Sequence, residues 1–274
     1  MSIEATAKFG RIERRVALMD GVCIGIGLDF RGPQPNAFFL PRAEAGPFTS
    51  DDFVGDTRLG GAVNCEVVSI APHGNGTHTE CVGHVVDELV DVHTIVDKQL
   101  LTAALVTVPL VRFGDTRDTY VCEVGDNEEV IPSSSLRAVV EALSGAPSAE
   151  ALVIRTMPNP PDGRYETWSG ASPPFLTTEA MAFLAAGHWR HILVDLPSVD
   201  RDSDGGQLNN HRQWWGLASG VKTTAGTTSE RTITEMIYVP DELSDDLYAL
   251  SLQVAPFILD AAPSRPILFP LHAE

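Results

Sequence analysis

Three histidines and a glutamate fall within twelve residues of one another: in the stretch 72–84 (PHGNGTHTECVGH) they are His73, His78, Glu80 and His84. Neutral imidazole and carboxylate are the usual protein ligands of Zn²⁺ and also serve Mn²⁺. His78 and Glu80 are two residues apart, so on an extended segment both side chains point the same way and converge on one ion. Gly74 and Gly76 let the backbone turn tightly and bring His73 back toward the same point. The ordinary alternative is that these imidazoles only satisfy hydrogen bonds in a turn. A lone histidine would be read that way; three with a carboxylate around two glycines are read as a site.

Such a cluster needs a scaffold, and the flanking sequence supplies one. Residues 65–70 (CEVVSI) read as a strand running into the His-rich turn, and residues 103–111 (AALVTVPLV) as a buried β-branched strand. Leu136, Val139, Val140 and Leu143 have helical spacing across 134–143, and the Gly-Ala-Pro at 145–147 ends that helix. Residues 152–155 (LVIR) form a short apolar strand, and Thr177 or Thr178 caps a helix carrying Met181, Phe183 and Leu184. Residues 191–196 (HILVDL) are another strand, leading into the loop 197–200, and residues 254–259 are read as a late strand. The Pro-, Gly- and aromatic-rich stretch 31–48 predicts an ordered surface loop. Strands alternating with about two helices predict a mixed α/β fold, with helices covering a central sheet. No linker-like stretch divides residues 1–274, which predicts one domain.

The stretch 72–84 resembles the His-x-Gly-Thr-His-x-Asp-x-Pro-x-His signature of the cyclase family, which includes bacterial kynurenine formamidase and isatin hydrolase. Residues 152–156 (LVIRT), 177–186, 191–200 (HILVDLPSVD), 231–236 (RTITEM) and 263–268 resemble later segments of that family in the right order. The resemblance covers the chain from about Cys65 onward. It implies a single-domain α/β fold, swivelling β/β/α-like, with a central mixed sheet flanked by helices. It also implies one or two divalent ions, Zn or Mn, with His73, His78 and Glu80 as ligands and His211 and Glu235 completing the set. His84 falls at the place of the general acid/base. Homo-oligomers are common in the family, which implies a homodimer or homotetramer here.

The chain departs from the signature in three ways. Two residues separate His73 from Gly76 where the family has one, Glu80 stands in place of Asp, and Val82 stands in place of Pro. The lengthened loop and the longer acid either compensate for each other or turn a two-metal site into a single one. The stretch between His211 and Glu235 is also long, and its segment 222–228 is read as a lid or an oligomer contact.

These residues imply hydrolysis of an amide, formamide, lactam or lactone in a small molecule, by metal-activated water with His84 relaying a proton. Kynurenine formamidases place a Trp-Pro-Gly-Asp segment at the substrate; here the N-terminal loop reads 32–39 (GPQPNAFF), in which Asn36 is expected to hydrogen-bond the substrate and Phe38 to stack on it. Two other readings stay open: a cyclase or dehydratase with the same apparatus, and a small-molecule-binding protein that has lost its metal. Trp214 and Trp215 are read as core, and His93, His188, His191 and His272 as structural or solvated.

Composition removes several other functions. A net charge of −18 without any Lys/Arg cluster argues against nucleic acid and anionic membranes as partners. Cys23, Cys65, Cys81 and Cys122 have no CxxC spacing, which argues against a zinc ribbon or a disulfide framework. Residues 1–15 mix acidic and basic groups with no apolar run, so they do not read as a signal peptide, and the expected compartment is the cytoplasm.

Overall fold

The computed structural model describes residues 5–225 and 230–272. Its centre is a ring of seven strands: β2 (His78–Glu80), β3 (Leu101–Pro109), β4 (Ala151–Met157), β5 (His191–Val194), β6 (Thr232–Glu235), β7 (Asp246–Val254) and β8 (Ala261–Pro270). Their order is β7-β3-β4-β5-β6-β2-β8, and β8 pairs back onto β7, so the sheet closes. β1 (Val22–Cys23) adds to the outside edge of β8. The run β3-β4-β5-β6 is parallel; every other pairing in the ring is antiparallel. The expected central mixed sheet is therefore present, and closure leaves it almost no free edge.

Alternation along the strands divides the core in two. Ala103, Leu105, Val153, Leu193, Tyr248, Leu250 and Leu268 fill the inside of the ring. Their neighbours Ala104, Val106, Leu152, Ile154, Ile192, Val194 and Ile233 face outward and are covered by helices. Helix α1 (Ser133–Ala142) buries Leu136 and Val140, and helix α2 (Thr178–Ala186) buries Ala180, Met181 and Leu184. The sequence places both correctly, and Thr177 is the cap: its Oγ1 accepts from Ala180 N at 3.2 Å. The start of α1 borrows its cap from elsewhere, because Asp118 accepts from the backbone N–H and the hydroxyl of Ser133. A third short helix, α3 (Asn209–Trp214), packs against α2, with Trp214 and Trp215 fully buried.

Two expectations are corrected. The late strand lies earlier, at Asp246–Val254, whereas residues 255–260 form a loop with Phe257, Ile258 and Leu259 exposed. Pro256 lacks the N–H that a central strand must donate. The predicted strand at 65–70 exists as Glu66–Ser69, but it pairs with Glu44–Pro47 outside the ring and is exposed along its length. That second strand also ends the irregular stretch 31–48. Residues 226–228 of the expected lid segment lie outside the described residues. The part before them is tied down: Asp87 N donates to Lys222 O, and Thr223 Oγ1 donates to Glu88. Among the described residues, no helix is long and apolar enough to cross a membrane, and all four cysteines are free thiols.

Candidate metal centre

The site is built on β2 and β6, the antiparallel pair of the ring that carries polar side chains on its helix-facing side. In their register His78 lies opposite Glu235 and Glu80 opposite Ile233, so His78, Glu80 and Glu235 share the outer face. Thr79, between the two ligand candidates, turns into the ring and exchanges a 2.8 Å hydroxyl bond with Thr234. The alternation expected from sequence is thus realised. Helix α3 lays His211 over the same face, and loop 197–208 after β5 closes the side.

Four side chains form the buried inner group: His78, Glu80, His211 and Glu235, each at most 3% exposed. His211 Nε2 lies 2.8 Å from Glu80 Oε1 and 3.6 Å from Glu235 Oε1; His78 Nε2 lies 3.5 Å from Glu235 Oε2. Both histidines are held by their other nitrogen. His78 Nδ1 sits 3.0 Å from the Gly76 carbonyl oxygen, and His211 Nδ1 sits 2.7 Å from Asp200 Oδ2. A carbonyl can only accept, so it fixes the N–H on His78 Nδ1 and leaves the Nε2 lone pair directed into the cluster. This is the arrangement that orients imidazoles for metal binding.

Asp200 is the organising residue that the sequence did not single out. Besides His211 Nδ1 it accepts the backbone N–H groups of Asn210 and His211 and the Tyr120 hydroxyl at 2.6 Å. It therefore caps α3 and aims its histidine at once. Burial opposes its ionisation, but the bonds from His211 and Tyr120 hold its carboxyl below the ordinary value. Burial likewise opposes charge on Glu80 and His211. The neighbouring His84 and His211 imidazoles nevertheless keep the Glu80 carboxyl well below its usual range, and the carboxylates of Glu80 and Asp200 lift His211 well above its own.

A second group rims the first. His73 Nδ1 is 3.0 Å from Glu80 Oε2 and its Nε2 is 3.0 Å from Asp260 Oδ2. His84 Nδ1 is 3.4 Å from the same Asp260 oxygen, and its Nε2 is 3.9 Å from Glu80 Oε2. Burial alone would depress His73; the bonds to Asp260 and Glu80 outweigh it and raise its pKa to about 10. The extra residue after His73 has not displaced it, since His73, His78 and Glu80 offer ligand atoms within 4.8 Å of one another. Glu80, His84 and His211 do so as well.

All six residues expected at the centre are therefore brought together: His73, His78, Glu80, His84, His211 and Glu235. The two expected for substrate part company. Phe38 lines the adjoining cavity of about 250 Å³ with His73, His84, Ser198 and Leu208. Asn36 does not reach it. Its amide donates to Leu40 O and accepts from Ser169 Oγ, which in turn accepts from Phe39 N. Asn36 instead clamps the loop that carries Phe38 and Phe39, both of them in the left-handed region, at φ 58° and 54°.

The donor set fits a divalent cation. His78 Nε2 and both Glu80 oxygens are buried without an aligned hydrogen-bond partner, although imidazoles stand at ion-pair distance. Buried polar atoms are rarely left so, and a cation among two imidazoles and two carboxylates would satisfy all of them. The residues that would hold it are His78, Glu80, His211 and Glu235, with His73 adjoining.

The model of the Cyclase family ("Putative cyclase") matches residues 24–201, well over half of the chain. No curated protein matches by sequence. Among solved structures, a "predicted metal-dependent hydrolase" from Bacillus stearothermophilus is 15% identical, with TM-score 0.57 over 91% of this chain and 98% of that one. Isatin hydrolase A from Labrenzia aggregata is 14% identical, with TM-score 0.58 over 92% and 94%. An isatin hydrolase bound to the product analogue thioisatinate is 12% identical, with TM-score 0.53 over 92% and 93%. At these identities the likeness is one of fold. His211 and Glu235 lie beyond the matched stretch, and it is the geometry that joins them to the site. The chain belongs to the Cyclase family.

Proposed function

We propose that this protein is a metal-dependent hydrolase that cleaves an amide, formamide, lactam or lactone bond of a small molecule, in the manner of an arylformamidase. The observation that carries the reading is the inner group: two aimed imidazoles and two buried carboxylates, among which His78 Nε2 and both Glu80 oxygens lack hydrogen-bond partners, beside a cavity. When bound there, Zn²⁺ or Mn²⁺ supplies Lewis acidity that polarises water and a carbonyl at neutral pH. The protein's own part is positional. Asp200 and the Gly76 carbonyl fix the two imidazoles, and Val199 N donates to Glu235 Oε1 at 2.9 Å, fixing that carboxylate. His84 stands at the rim, where its Nε2 takes a proton from the attacking water and returns it to the leaving nitrogen or oxygen. The acyl carbon gains the water oxygen, its bond to nitrogen or oxygen breaks, and the products are a carboxylic acid and an amine or alcohol. A cavity of about 250 Å³ suits a compact molecule of one or two rings, and Phe38 offers an aromatic face for stacking.

The same proposal places the protein in the cytoplasm as a homodimer or homotetramer; light scattering measures the assembly. Metal analysis by mass spectrometry joined to a panel of formanilides, lactams and lactones tests the function. Stoichiometric Zn or Mn and turnover of at least one class, both lost to a chelator, are expected. Protein that binds neither ion, even when supplied in excess, would overturn the proposal in favour of a binding protein. Metal-loaded protein that leaves the whole panel untouched would overturn it in favour of a cyclase or dehydratase.

A further inference from the structure

We infer that Asp260 is the positioning residue for His84, holding the imidazole by Nδ1 so that Nε2 faces the cavity. The inference rests on the hydrolase reading for its kinetic consequence, but its structural claim stands apart. Asp260 is remote in sequence from the His-rich turn and comes to it through the ring. It immediately precedes β8, whose first residue pairs with Glu80, and its carbonyl accepts from Cys81 N at 3.0 Å. On its other side Leu259 O accepts from Val92 N. The carboxylate is thus fixed by backbone on both flanks, next to exposed residues 257–259.

One oxygen, Asp260 Oδ2, receives both rim histidines, His73 Nε2 at 3.0 Å and His84 Nδ1 at 3.4 Å. The two rings lie one over the other, centroids 4.2 Å apart and tilted by 31°. A carboxylate at Nδ1 stabilises the Nδ1–H tautomer and leaves the Nε2 lone pair to accept a proton, the role an aspartate plays behind the histidine of serine hydrolases. A second observation points the same way. A Cβ on Gly83 would lie 2.6 Å from Val90 O and 3.0 Å from Asp260 Cβ. Glycine beside His84 is what lets Asp260 approach the turn so closely.

The test uses the zinc-loaded protein and two variants. Asp260→Asn keeps the size of the side chain but lets an amide N–H face His84; Gly83→Ala keeps the carboxylate and pushes it from the turn. Long-range ¹H–¹⁵N correlation of the His84 ring reads the tautomer, with zinc content measured alongside. Wild type is expected as Nδ1–H, and both variants are expected to gain Nε2–H with zinc retained. On any ester or amide the wild type cleaves, kcat should fall roughly 10- to 100-fold with KM nearly unchanged. An unchanged tautomer and kcat in Asp260→Asn would overturn the inference. Loss of zinc from that variant would also overturn it, by making Asp260 a ligand. If the wild type cleaves nothing, the hydrolase reading fails while the tautomer still decides the place of Asp260.

Discussion

Two polar clusters interrupt the apolar ring, and they differ in how completely their hydrogen bonds are made. At one end of the ring's interior, Arg155 spends its guanidinium on Thr107 Oγ1, the carbonyls of Pro240 and Leu243, and Asp245. On the outer face, the Glu80 cluster is held just as firmly from behind, by Asp200, Gly76 and Val199, yet presents unpartnered atoms at its centre. Burial and charge alone do not distinguish the two. Completeness does: a cluster that closes on itself stabilises the fold, whereas one that is rigid at its edge and open at its centre is arranged for something else.

The contrast can be broken most forcefully at Glu80. Glu80→Ala should abolish metal binding and cut turnover by at least 1,000-fold, as removal of a central ligand does; full occupancy measured by mass spectrometry would remove Glu80 from the ligand set. His84→Ala should instead keep its metal while kcat falls roughly 100- to 10,000-fold. A variant that turns over normally would end that role for His84. Arg155→Met should do the opposite of Glu80→Ala, with metal content intact and stability in urea lower by about 3 kcal/mol, because two buried carbonyls and Asp245 lose their donor.

Asp195 sharpens the comparison, because it lies outside both clusters, is hydrogen-bonded to Thr156, and keeps one oxygen open. Its Oδ2 accepts from Thr156 N and Oγ1, while Oδ1 is buried without a partner. Burial raises its pKa to about 6, against the bonds from Thr156. Between the ordinary carboxylate value and about 6, the folded protein holds a proton that the unfolded chain has released. Stability should therefore fall as pH rises through that window and stay level above it. Asp195→Asn should remove this slope, worth about 3 kcal/mol; identical pH profiles for variant and wild type would show Asp195 ionised throughout. The smallest effect expected is that of Tyr120→Phe. Loss of the hydroxyl on Asp200 should weaken zinc affinity about tenfold by titration, and an unchanged Kd would make Tyr120 merely a neighbour.

The sequence revealed the inner group unevenly. His78 and Glu80 follow from spacing alone, because strand alternation is local. His211 and Glu235 came only through family resemblance, since neither an Asn-Asn-His-Arg turn nor a strand glutamate is distinctive by itself. Asp200 stood in a recognised segment, but its role depends on α3 folding back onto it. Asp260 was hidden by the apolar run before it, which reads as a strand until Pro256 and the exposure of residues 257–259 are weighed. The closure of the ring was illegible for a related reason: it depends on β7 and β8 pairing, and β7 was expected at residues 254–259, in the loop that follows it.

The buried His191 shows why residue type alone misleads. It is as buried as His211, but its partner is the Thr232 hydroxyl at 2.8 Å, and burial pushes its pKa down to about 4. With a hydroxyl rather than a carboxylate as its hydrogen-bond partner, His191 is structural, one of the two places, structural or solvated, that the sequence reading allowed it.

A crystal soaked in manganese and measured for anomalous scattering bears most directly on the whole account. It should show a peak enclosed by His78 Nε2, Glu80, His211 Nε2 and Glu235. A featureless anomalous map there, or manganese bound only at surface carboxylates, would contradict the reading of this cluster as a metal centre.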